Sequence, residues 1–92
     1  MLGKHKALTL YNKQGNVGKT RQVIGTFNNP SIRQKTWYEL NTNKRLAGNI
    51  TFAGNYDDFK EFDAVRIAGD KSYRIFNMSQ NNMGHIKAEV GI

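Results

Sequence analysis

Val65-Arg66-Ile67-Ala68-Gly69-Asp70-Lys71-Ser72-Tyr73-Arg74-Ile75 alternates apolar and polar residues on both sides of a glycine turn. Side chains in a strand point to opposite faces in turn, so Val65, Ile67, Tyr73 and Ile75 share one buried face of a hairpin. Phe76 and Met78 are then expected to point the other way. Downstream, His85-Ile86-Lys87-Ala88-Glu89-Val90 keeps the same period of two. It places Ile86, Ala88 and Val90 inward and pairs antiparallel with the preceding strand across Gln80 to Gly84.

Working upstream, Ile50 and Phe52 mark a short strand. The segment Tyr56 to Asp63 could form one helical turn with Phe59 and Phe62 on one side. Leu8 and Leu10 define a first strand over about residues 6 to 13, ending in a turn at Gly15 to Gly18. Val23, Ile24 and Phe27 define a second over 20 to 28, stopped at Asn28-Asn29-Pro30, where the proline removes a ladder donor. Trp37, Tyr38 and Leu40 predict a third strand, and the polar run Asn41 to Gly48 an exposed connection. No segment holds a 3.6-residue apolar period for three turns. The expected fold is mostly β, a small antiparallel barrel or sandwich of the SH3 or OB kind, with long loops and at most one short helical turn.

With 92 residues the chain allows one domain, residues 1 to 92, because a second core would leave each half too small to offset its ordering entropy. There are no cysteines, which excludes a disulfide framework and a thiolate zinc site and points to an intracellular setting. Met1-Leu2-Gly3-Lys4-His5-Lys6 leads into no apolar run, so neither a secretion signal nor a membrane span is expected. The sequons at Asn49 and Asn77 are then chance. Net charge is +7, and nine of the 14 Lys and Arg residues fall in residues 1 to 50 against Glu39 alone. Such asymmetry suits nucleic acid or an acidic protein surface, although charge of this kind also serves solubility.

Gly15-Asn16-Val17-Gly18-Lys19-Thr20 ends like a phosphate-binding loop, but Lys13 stands where its first glycine belongs and the segment joins two strands. A hairpin turn accounts for the glycines, and a KH-type Gly-x-x-Gly would need flanking helices. Asp57, Asp58, Glu61 and Asp63 could gather a hard cation or act as an acid and base pair. Interleaved with Tyr56, Phe59 and Phe62, they fit better as the wet rim of an apolar cluster. His5 and His85 have no ligand-spaced partners. No nucleophile, base and oxyanion donor come together, so neither catalysis, nor a metal, nor a cofactor is expected. Tyr11 near Lys13, and Arg33 and Lys35 near Trp37 and Tyr38, have the mixture that holds single-stranded nucleic acid, against core packing as the plainer use of aromatics.

Ile50-Thr51-Phe52, Tyr56 and the run Asp63 to Ile75, together with the opening Ala7-Leu8-Thr9-Leu10-Tyr11, resemble the head-tail connector proteins of tailed bacteriophages, the head-completion or stopper proteins of siphophages. Residues 28 to 48 have no counterpart in that pattern. The resemblance implies a barrel subunit assembled as a ring, of twelve or six copies, between the portal with its adaptor and the tail. It implies a place in the virion neck after synthesis in the host bacterial cytoplasm, and help in retaining packaged double-stranded DNA. By the same analogy Lys44 and Arg45 face the lumen or DNA, and Asp57, Asp58, Glu61 and Asp63 meet a neighbouring subunit or the adaptor. The alternative is a small basic OB- or SH3-like protein that binds single-stranded nucleic acid.

Overall fold

A computed structural model describes residues 5–13, 20–68 and 71–92. Six strands, β1 (His5–Tyr11), β2 (Thr20–Asn28), β3 (Leu46–Ala53), β4 (Ala64–Ile67), β5 (Lys71–Gln80) and β6 (His85–Gly91), form one closed antiparallel barrel in the order β1-β2-β3-β6-β5-β4. Closure comes from β4 pairing back onto β1, with Leu8 opposite Ile67 and Leu10 opposite Val65. The last backbone bonds of that seam run from Ala68 N–H to Ala7 O and from Asp63 N–H to Tyr11 O.

The period of two in the sequence becomes the barrel interior. Leu8, Leu10, Ile50, Phe52, Val65, Ile67, Ile86, Ala88 and Val90 are buried together, with Val23, Phe27, Tyr73 and Ile75 packed against them. The hairpin pairs Val65 with Tyr73, as the alternation requires; its turn residues 69 and 70 lie outside the described residues, as does the segment 14–19 with the phosphate-loop-like glycines. Met78 departs from expectation. A bulge between Ile75 and Asn77 shifts the register by one, so Met78 stands opposite Ala88 and turns back toward the core while Phe76 stays outside. Between β5 and β6, Asn81 accepts backbone N–H bonds from Met83 and His85 on its side-chain oxygen, and Gly84 supplies the positive φ of 80° that the turn needs.

A short helix, α2 (Tyr56–Phe59), lies where one helical turn was expected. Asn55 caps it through Asp57 N–H, and Phe59 and Phe62 enter the core, with Phe59 edge-on to Phe52 at 5.0 Å. The Arg21 guanidinium lies over the Phe59 ring at 5.0 Å.

The expected third strand is instead a ten-residue helix, α1 (Ile32–Asn41), and the connection that follows is only residues 42–45, because Leu46, Gly48 and Asn49 are buried in β3. Ser31 begins α1 with a reciprocal cap. Its hydroxyl accepts Gln34 N–H, and the Gln34 side chain accepts Ser31 N–H. At the other end Asn41 and Thr42 donate from their side chains to the Trp37 and Tyr38 carbonyls. Tyr38 is the helix's buried residue, whereas Ile32 and Leu40 are exposed, so no apolar stripe existed for periodicity to find.

Candidate functional site

What holds α1 to the barrel is polar. The Gln34 carboxamide exchanges two hydrogen bonds of 3.2 Å with the Asn49 carboxamide of β3 and donates a third, of 2.9 Å, to Glu89 of β6. With Ser31 N–H accepted as well, both donors and both acceptor positions of Gln34 are used. The other Glu89 oxygen accepts the Tyr38 hydroxyl at 2.5 Å. Burial, that bond and the carboxylate's charge together hold the Tyr38 phenol protonated far above the ordinary tyrosine range.

The unfolded chain loses the Tyr38 proton near pH 10, whereas the folded chain keeps it, so stability from this group is complete below about pH 10 and declines as pH rises above it. Tyr38→Phe is expected to destabilise the protein by about 1–3 kcal/mol at neutral pH, since it leaves the Glu89 carboxylate without that donor. The same variant flattens the loss of stability above about pH 10. Urea unfolding of both proteins at neutral and alkaline pH measures the two effects.

Seating α1 in this way leaves a depression of about 590 Å³ between the helix and the outer face of β5 and β6, walled by Arg33, Trp37, Tyr38, Lys44 and Phe76. Phe76, turned outward by the bulge, packs against Tyr38 at 5.6 Å between ring centroids and carries the Lys44 amine over its ring at 5.1 Å. Lys44 and Phe76 also wall a second depression that contains Lys13, Asp63 and Arg74. Lys13 and Arg74 in turn border a third, with Tyr11 and Tyr73. The first and second hollows share Lys44 and Phe76, and the second and third share Lys13 and Arg74, so the three adjoin along β5 and onto α1 and are together termed the groove. Comparison with protein-family models, with curated proteins and with solved structures finds no match.

The structure separates residues that the sequence grouped. Lys44 lies in the groove, but Arg45 is exposed outside the three hollows, its carbonyl accepting Ile92 N–H. Asp57 and Asp58 occupy the exposed first turn of α2, where Asp57 pairs with Lys60 at 3.5 Å, and Glu61 follows on the exposed surface. Asp63 instead accepts Lys13 N–H at 2.7 Å and borders the groove. Among the described residues no group of three His, Asp or Glu side chains could hold a metal ion, and no helix is long and apolar enough to cross a membrane.

The sequence groups Tyr11 with Lys13, and Arg33 and Lys35 with Trp37 and Tyr38; all of these but Lys35 border the groove, Tyr38 as a buried part of its wall. Arg74 and Phe76, which join the two groups, were not singled out as functional. Alternation in β5 already put Arg74 outside, between inward Tyr73 and Ile75. The Ser31-x-x-Gln34 spacing after Pro30 was the available sign of α1.

Proposed function

We propose that the chain is a structural subunit of the tailed-bacteriophage neck, a head-tail connector or stopper that docks beside copies of itself between the portal with its adaptor and the tail. The observation that carries this reading is the outward side of α1. Ile32 and Leu40 are 83% and 78% exposed there, on a barrel that has no open strand edge. At 100° per residue Ile32, Thr36 and Leu40 fall within one narrow face, opposite Gln34 and Tyr38, which are tied down to the barrel. Aliphatic side chains in water favour a covering partner, and a closed barrel with no edge strand favours meeting that partner through side chains over strand addition.

Two further features support the reading. The hairpin whose sequence resembles connector proteins is part of the barrel seam, with Val65 and Ile67 inside and Arg66 outside. Asp57 and Asp58 offer acidic contacts to a neighbour or adaptor, in a chain that is otherwise strongly basic. A role of this kind requires non-specific contact with packaged double-stranded DNA and no reacting group.

The test is assembly with the portal and adaptor encoded in the same genome, followed by electron microscopy and native mass spectrometry. A ring seated on the portal complex is expected. The double variant Ile32→Lys/Leu40→Lys should keep the circular dichroism of the folded barrel while weakening assembly by about tenfold or more. Absence of any complex, or a ring indifferent to the double variant, would count against the proposal.

A further inference from the structure

We propose that the groove along β5 and α1 is a binding site for a single strand of nucleic acid. Four cationic side chains, Lys13, Arg74, Lys44 and Arg33, border the three adjoining hollows against two carboxylate side chains, Asp63 and Glu89. Both carboxylates are engaged by the protein itself, Asp63 by Lys13 N–H and Glu89 by Tyr38 and Gln34. Those neutral donors leave the carboxylates charged, but cationic side chains outnumber carboxylate side chains in each hollow, matching a ligand with charge distributed along a chain.

Aromatic rings punctuate these cations. Trp37, beside Arg33, is 54% exposed, more than burial in a core would leave it. Phe76 is covered by Tyr38 and Lys44, so it fixes the Lys44 amine where the first two hollows meet and is not itself a free stacking face. Cations that track a backbone and an exposed aromatic that accepts an unpaired base are the two elements of single-strand recognition. A duplex hides its base faces and has nothing to stack on Trp37. An extended acidic peptide is the weaker candidate, because such segments draw affinity from main-chain bonds to an edge strand, and in the closed order every strand has a neighbour on both sides. The site needs no second subunit, so it stands apart from the ring proposed above.

Trp37 is the chain's only tryptophan, which makes its fluorescence a report from the groove. Titration of the full chain with an oligothymidylate of about ten nucleotides should quench it saturably. Affinity should fall with salt at a log–log slope of about −3, as expected when roughly four phosphates are neutralised. Lys44→Ala/Arg74→Ala should weaken binding by about tenfold or more and reduce that slope by about 1 to 2. Lys13→Gln, which leaves the backbone bond to Asp63 in place, should act in the same direction, and circular dichroism checks that each variant is folded. No quenching at low salt, or quenching unchanged in the variants, would overturn the proposal. A duplex of equal length or polyglutamate quenching with equal affinity would overturn the single-strand assignment. Neither result bears on ring assembly with the portal, which is measured separately.

Discussion

Phe52→Ala is expected to remove about 3–5 kcal/mol of stability, the usual cost of deleting a buried aromatic ring. Phe52 is 2% exposed and pairs across β6 with Ile86 and across β2 with Gly25. Its ring meets Phe59 edge-on, joining the barrel wall to the α2 plug. Gly25 is part of the same fit. A β-carbon there would lie 2.4 Å from the Thr51 carbonyl oxygen and 3.0 Å from the Phe52 β-carbon, so this large residue sits opposite an absent one.

A ring of six paired strands cannot close over the resulting cavity without breaking backbone hydrogen bonds, which places the expected loss toward the upper part of that range. Domains of this size have about 5–14 kcal/mol in total, so the variant should unfold roughly 12 °C or more below the parent. Phe52→Leu, which retains much of the volume, should cost about 1–2 kcal/mol. Thermal and urea unfolding followed by circular dichroism decide it, and a loss below about 1 kcal/mol for Phe52→Ala would mean that this core is not packed as described.

The strands were legible wherever one face was buried and the other wet. Leu8 and Leu10, Val65 and Ile67, and Ile86, Ala88 and Val90 each announce themselves by alternation, and β2 begins and ends at the residues expected. The choice between barrel and sandwich was not legible. It rests on β1 meeting β4, a pairing more than fifty residues apart along the chain that no local signal encodes. The bulge at Ile75 and Asn77 was equally hidden, because one extra residue inverts every later side chain without changing the composition of the strand.

Helix α1 escaped for a different reason. Trp37-Tyr38-Glu39-Leu40 has the residue types of a strand, and the helix buries one of its four apolar residues, so the usual stripe was missing. Its anchors, Gln34 to Asn49 and Glu89, are side-chain bonds spanning 15 and 55 positions. The groove inherits that difficulty. Lys13 and Asp63 stand out as charges near aromatics, and Lys44 through the connector resemblance, but only the seating of α1 brings Arg33 and Trp37 into line with Arg74 and Phe76.

Both functional proposals depend on a closed sheet with no edge strand, which favours recognition through the side chains of α1 and of the groove. Backbone hydrogen exchange resolved by residue measures this directly. Successive amides of Leu8–Tyr11 face β2 and β4 in turn, and those of Ala64–Ile67 face β1 and β5 in turn. In the closed barrel neighbouring amides of both segments are protected alike, slowed by roughly 10⁴-fold or more if they open only with global unfolding. If every second amide in the two segments exchanged at the rate of an unstructured chain while its neighbours stayed protected, β1 and β4 would be open edges and the barrel would not be closed.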